Sequence, residues 1–328
     1  MKFIQPARLH SGDHLRVIAP SRSLGFVGMQ NSVAIQERFE TLGLSLSYGR
    51  TVMQRDRYDS SPVSARIADF HEAFEDPGVR GILTVIGGYN SIELLPHIDW
   101  DLVRENPKIF SGYSDITTLQ NAILAKTGIQ TYSGPHWSTF GMKNHFDQTL
   151  QWFVAAAFNE QVRVDPSSYW TDDLWFLDQE NRSVQSGEGW WAIAPGEATG
   201  RAVGGNLSSF LLLQGTDFMP QVENPILFVE ATSGTNAQRF AREMHSLCHS
   251  HLGVSAAGVV VGRFQRESAV SRQDLELIFQ GLPLAANVPV MANVDFGHTN
   301  PLMTWPVGGR IQISSVELNP FLQILPET

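Results

Sequence analysis

Three short segments carry the residue types of acyl-transfer chemistry. Ser114 lies in Gly112-Tyr113-Ser114-Asp115-Ile116-Thr117, between apolar Ile109-Phe110 and a helical pattern. A serine at a sharp strand-to-helix turn has its hydroxyl pushed out of the fold, with backbone N–H groups pointing the same way. The positive end of the following helix then faces any oxyanion formed there. Leu227-Phe228-Val229-Glu230 ends an apolar run in a carboxylate, and Asp295-Phe296-Gly297-His298-Thr299-Asn300-Pro301 puts His298 in a loop punctuated by Gly and Pro. Serine, acid, histidine is one of the chain orders in which a catalytic triad occurs.

Each residue also has a plainer reading. Ser114 alone reads as a helix N-cap, and Ile116 breaks the full Gly-x-Ser-x-Gly pattern. Glu230 alone is a strand-end carboxylate facing water; buried, it needs a partner, and a histidine is a natural one. His298 is one of ten histidines, and His136 in Gly134-Pro135-His136-Trp137 is a rival whose plainer role is structural. Gly87-Gly88-Tyr89-Asn90-Ser91 follows a strand and opens a helix. It suits either a tight turn or a nest of N–H groups for an anion, without the spacing of a dinucleotide or phosphate loop. Gly204-Gly205-Asn206-Leu207-Ser208 reads as a backbone turn whose Asn206 side chain bonds across a domain interface.

The elements that must position these residues alternate between short apolar runs and helical patterns. Strands are expected at Leu15–Ala19, Leu44–Tyr48, Val79–Ile86, Ile109–Phe110 and Ile129–Thr131, and helices at Met29–Leu42, Pro62–Phe74 and Asp147–Phe158. Such alternation implies a doubly wound parallel sheet, with ligands beyond the carboxyl ends of its strands. From about Val162 the chain turns polar and aromatic. It then becomes strand-rich, with helices near Ala237–Cys248 and Arg272–Phe279, as an α+β domain would be. The expected organisation is an N-terminal α/β domain over 1–160, an aromatic insertion over 161–190 and a smaller β-rich domain over 191–328.

Composition narrows the partners. The 328 residues carry a net charge of -10 with no run of Lys or Arg, so neither nucleic acid nor an anionic membrane is an expected partner. Cys248 stands alone, which leaves no disulfide and no cysteine-based zinc site. With no His-Glu-x-x-His pattern either, no metal and no organic cofactor are expected. The lack of a signal-like run or a long apolar span points to the cytoplasm.

Taken together, Gly-Gly-Tyr-Asn-Ser at 87–91, the Ser114 turn, Gly-Gly-Asn-Leu at 204–207, Glu230 and Gly-His-x-x-Pro at 297–301 resemble, in order, the LD-carboxypeptidases and microcin C self-immunity peptidases. The resemblance implies a flavodoxin-like α/β domain joined to a smaller β-rich domain, with the active site between them, in a homodimer. It implies Ser114 as nucleophile, His298 as base, Glu230 as the residue orienting it, and the backbone N–H groups of Gly88 and Asp115 as oxyanion hole. Asn90 and Ser91, in place of the glycine-rich turn of the murein branch, and the insertion from Tyr169 to Trp191 look like the microcin branch. There the substrate is an aspartyl–nucleotide amide, with Trp170 or Trp175 stacking on the base. Trimming of murein tetrapeptides is the alternative, and a silent nucleotide- or peptide-binding protein the other. Ala231-Thr232-Ser233 after Glu230 departs from the family by being less acidic.

Overall fold

The computed structural model describes residues 2–159, 161–317 and 319–327. In the first half, strands β1 (His14–Ile18), β2 (Ser45–Tyr48), β3 (Gly81–Thr84), β4 (Ile109–Gly112) and β5 (Thr131–Ser133) pair in parallel in the order 2-1-3-4-5. That is the flavodoxin-like order. β3, β4 and β5 are buried along their whole lengths, which is why they read as unbroken apolar runs rather than alternating ones. The crossover helices follow their capping signals. Val63–Glu75 begins right after Pro62, and Thr117–Thr127 ends at Gly128, whose φ of 77° suits a residue without a Cβ.

The second half builds an eight-stranded sheet from β6 (Val162–Val164), β9 (Trp191–Ala194), β10 (Gly196–Asn206), β11 (Ile226–Glu230), β12 (Gly258–Gly262), β13 (Val290–Val294), β15 (Arg310–Ser315) and β16 (Phe321–Ile324). β10 to β13 run parallel, and the remaining pairings are antiparallel. Helices Ala237–Cys248 and Arg272–Gly281 lie in the connections of the parallel part. A two-stranded ribbon, β7 (Tyr169–Trp170) with β8 (Gln185–Ser186), frames the aromatic insertion.

One strand leaves its own half. β14 (Trp305–Val307) pairs antiparallel with β5 and closes that edge of the first sheet. Trp305 stacks on Phe228 of β11 at 4.1 Å, so the apolar core runs through both sheets.

Local differences from the sequence expectation have local causes. β5 starts two residues late because Ile129 makes an isolated parallel bridge to Ile4 instead. The segment after Gly88 is a 3₁₀ turn, Ser91–His97, rather than an α-helix, and contains Pro96. The apolar run Phe210–Leu213 begins inside a short helix, Leu207–Leu211. No helix among the described residues is long and apolar enough to cross a membrane.

Candidate active site

Ser114 lies one residue, Tyr113, beyond the end of β4 and holds φ at 61°, a conformation that costs a non-glycine residue free energy and recurs at functional turns. The turn continues as a 3₁₀ step, Ser114–Ile116, into helix Thr117–Thr127. Gly87, beyond the carboxyl end of β3, comes right against it. A Cβ there would lie 2.9 Å from Ser114 Cβ, 3.1 Å from its Oγ and 3.5 Å from the Asp115 nitrogen, so only glycine leaves that space open. The Asp115 carboxylate, itself buried, accepts hydrogen bonds from Ser21 Oγ at 2.6 Å and from the Ser91 nitrogen at 2.9 Å. It thereby ties the Gly87–Ser91 loop to the Ser114 turn.

Glu230 reaches this place through the second sheet. β10 docks its end on the elbow helix: Asn121 Nδ2 donates to the Gly204 oxygen at 2.8 Å, and the Gly204 nitrogen donates to Asn121 Oδ1 at 3.1 Å. The Asn206 nitrogen donates to Thr117 Oγ1 at 3.0 Å. Gly205, with φ 132°, allows the approach, because a Cβ would sit 2.5 Å from Thr117 Oγ1. Asn206 is the register partner of Glu230 across β10 and β11, so docking one brings the other to the elbow. These bonds thus join the backbone of Gly204 and Asn206 to the Asn121 and Thr117 side chains, and do not use the Asn206 side chain as expected. That side chain caps the helix beginning at Leu207, accepting from the Ser209 nitrogen at 3.2 Å.

His298 is held from both sides. Upstream, buried Asp295 pairs with buried Arg263 at 2.5 Å and accepts from Trp190 Nε1 at 2.8 Å. Downstream, Thr171 and Asn300 exchange two backbone hydrogen bonds of 2.8 Å. The result is a continuous chain of contacts: Ser114 Oγ lies 3.1 Å from His298 Nε2, and His298 Nδ1 lies 2.8 Å from Glu230 Oε2. The other carboxylate oxygen, Oε1, is buried with no hydrogen-bond partner among the described residues.

Electrostatics sort the two histidines. Burial alone would depress His298, but the Glu230 carboxylate outweighs it and holds the pKa above the ordinary imidazole value. Burial, helped by the nearby charge of His298, pushes His136 down to about 3. His136 is therefore a neutral ring, bonded through Nδ1 to Thr84 Oγ1 at 2.8 Å and stacked on Tyr113 at 4.3 Å. Tyr113 in turn meets His298 edge-on at 5.4 Å, and burial with the Glu230 charge pushes its hydroxyl up to about 12.

A cavity of about 580 Å³ opens over Ser114 and His298, walled by Gly87, Gly88, Tyr113, His136, Trp137, Trp175, Phe176 and Leu177, among others. Trp175 lies on this wall. Trp170 does not: it lines a separate groove of about 400 Å³, under the Arg263 guanidinium at 5.4 Å. Asn90 and Ser91 also stay behind the wall. Asn90 Nδ2 donates to Ser60 Oγ at 3.1 Å, and Ser91 Oγ donates to the Asp115 oxygen at 2.8 Å; both side chains are buried supports of the loop. Residues on the wall that sequence reasoning did not single out include Arg22, Phe26, Gln30 and Asn31. The available signal for the first was its place just beyond the carboxyl end of β1.

Comparison with known proteins gives this arrangement its context. Residues 15–134 match the model of the LD-carboxypeptidase N-terminal domain and residues 199–313 that of the C-terminal domain. A Treponema pallidum protein named "Putative carboxypeptidase" is 40% identical over 325 residues, 97% of this chain and 96% of its own. The murein tetrapeptide carboxypeptidase of Pseudomonas aeruginosa is 26% identical, over 89% of this chain and 90% of its own. Among solved structures, an MccF-like protein from Bacillus anthracis superposes with a TM-score of 0.96 at 43% identity, covering 99% of this chain and 100% of that one. The microcin C7 self-immunity protein MccF in complex with aspartyl sulfamoyl adenosine superposes with a TM-score of 0.88 at 26% identity, covering 99% of each. The chain belongs to the LD-carboxypeptidase family and is a serine peptidase of that family, one that also includes microcin C7 self-immunity proteins.

Proposed function

We propose that Ser114, His298 and Glu230 work as a triad that hydrolyses an amide bond in an aspartyl–nucleotide conjugate. The observation that carries it is the unbroken contact chain from Ser114 Oγ through both His298 nitrogens to Glu230 Oε2, built from three distant parts of the sequence. His298 takes the Ser114 proton as Oγ attacks the carbonyl carbon. The backbone N–H groups of Gly88 and Asp115 receive the oxyanion beside the open space at Gly87. His298 then gives its proton to the leaving nitrogen, and water, activated by the same ring, hydrolyses the acyl–serine ester. Glu230 favours the imidazolium at each step.

Two observations support the substrate. A structural neighbour is solved with aspartyl sulfamoyl adenosine, and the cavity here has an aromatic wall in Trp175 and Phe176 on which a base can stack. The test is one hydrolysis assay offering aspartyl sulfamoyl adenosine and a murein tetrapeptide side by side. Faster cleavage of the adenylate is expected; faster cleavage of the tetrapeptide moves the protein to murein trimming and leaves the serine chemistry standing. Binding without turnover of either would make it a binding protein. The same reading includes a cytoplasmic homodimer, which sedimentation equilibrium and cell fractionation test. It also includes the three-part division at 1–160, 161–190 and 191–328, which limited proteolysis tests.

A further inference from the structure

The cavity over Ser114 has a marked charge asymmetry. Among the described residues lining it, Arg22 is the one Lys or Arg, and no Asp or Glu reaches its wall. Arg22 forms no salt bridge among the described residues, although most other arginines do, and its Nε is buried with no hydrogen-bond partner. A buried, unpartnered guanidinium nitrogen is costly unless something completes it.

The stem of Arg22 is held beside the reacting centre. Its nitrogen donates to the Gly87 oxygen at 3.3 Å, and a Cβ on Gly88 would lie 3.0 Å from Arg22 Cγ. Gly87 itself abuts Ser114. The guanidinium carbon sits 4.9 Å from the centre of the Phe26 ring, which also lines the cavity. A planar fork stacked on an aromatic face, with no carboxylate to neutralise it, is preorganised for an anion with two oxygens.

We infer that Arg22 is the anion anchor of the substrate and binds the negative group on the leaving side of the scissile amide. The inference rests on the serine hydrolase reading above. In a carboxypeptidase substrate that group is the free carboxylate of the terminal residue; in an aspartyl sulfamoyl or phosphoramidate nucleotide it is the sulfamate or phosphoramidate next to the scissile nitrogen. Both present oxygens close to the leaving nitrogen, so one guanidinium serves either, and uncharged amides lose the contact.

The experiment compares wild type with Arg22→Gln and Arg22→Lys on two matched pairs: a murein tetrapeptide against its C-terminal amide, and aspartyl sulfamoyl adenosine against neutral aspartyl p-nitroanilide. For Arg22→Gln, kcat/KM is expected to fall about 30-fold or more on the charged member of the true substrate's pair, mainly through KM, and less than about threefold on its neutral partner. Arg22→Lys should recover part of the loss. The pair that responds identifies the anion as carboxylate or sulfamate. Equal losses on charged and neutral members, or no loss on either, overturn the inference, with thermal melts separating misfolding from lost contact. Activity that survives Ser114→Ala would sink the serine reading instead. Arg22 is then judged by calorimetry, titrating aspartyl sulfamoyl adenosine into Ser114→Ala with and without Arg22→Gln. At least a tenfold loss of affinity is expected, and equal affinity or no binding to either protein overturns the inference.

Discussion

The two walls of the cavity are built on different terms. On the Ser114 side the polar groups that support the reacting pair are buried: Glu230 is 2% exposed, His136 1% and Asp115 3%. On the opposite side Trp175, Phe176 and Leu177 come from the insertion, with Phe176 58% and Leu177 74% exposed. That segment is pinned at its rim instead. Gln179 Nε2 donates to the Gly141 oxygen at 3.1 Å, Arg182 Nη1 to the Asn144 oxygen at 2.8 Å, and Arg266 pairs with Asp172 at 2.6 Å. The contrast teaches where each property resides. On the proposed reading, bond-making geometry sits where displacement is costly, and the surface offered to a base sits on a loop that exchanges side chains at little cost to the fold.

The largest expected effect tests the buried wall. Ser114→Ala should lower kcat by about 10⁴-fold or more while leaving the thermal melt unchanged. Turnover near wild type in a folded variant would remove Ser114 as nucleophile.

Glu230→Gln should follow, with kcat down roughly 10³-fold and KM little changed. It also carries a pH signature. The carboxylate raises the His298 pKa, and the neutral ring is the working base, so wild-type kcat/KM is lost as pH falls through a value above the usual imidazole range. Without the carboxylate charge that acid limb should move to lower pH. An acid limb that stays in place would break the pairing.

The aromatic wall predicts a smaller and differently shaped change. Trp175→Ala should raise KM for aspartyl sulfamoyl adenosine by about 5- to 150-fold, the range of one lost base stack. Trp170→Ala should leave KM within about twofold and lower the melt instead, because Trp170 packs under the buried Arg263–Asp295 pair. The reverse result would move the ligand to the other groove.

The smallest effect sharpens the account of burial. His136 has a folded pKa of about 3 against 6.5 for an ordinary ring, so its contribution to stability is present above pH 6.5 and is lost as pH falls toward 3. The slope it adds is at most about 1.4 kcal/mol per pH unit. Wild type should therefore lose more stability than His136→Gln between pH 6.5 and about 4 in denaturant titrations. Equal slopes would mean that the ring accepts a proton in the folded state.

Much of this was legible in the chain, for local reasons. Apolar runs broken by Gly and Pro marked β1 to β4 closely, β3 and β4 being buried on both faces, and apolar spacing located helices Asp147–Phe158 and Ala237–Cys248 to the residue. The elbow was legible because its signal is contained in a strand, a glycine, a serine and the helix after them. Tertiary structure decided the rest. Ser114 and His298 are separated by 184 positions and His298 and Glu230 by 68, so their contact depends on Gly204 and Gly205 letting one sheet seat against the helix of the other. Contacts between distant segments likewise put Trp175 and not Trp170 on the cavity wall, with Gln179 and Arg182 of the same insertion bonded to Gly141 and Asn144, and bonds to Ser60 and Asp115 make Asn90 and Ser91 supports. Residue type and spacing specify what a side chain is able to do. Which side chains share a cavity is settled by close packing between sheets, and that depends on pairs of surfaces far apart in the chain.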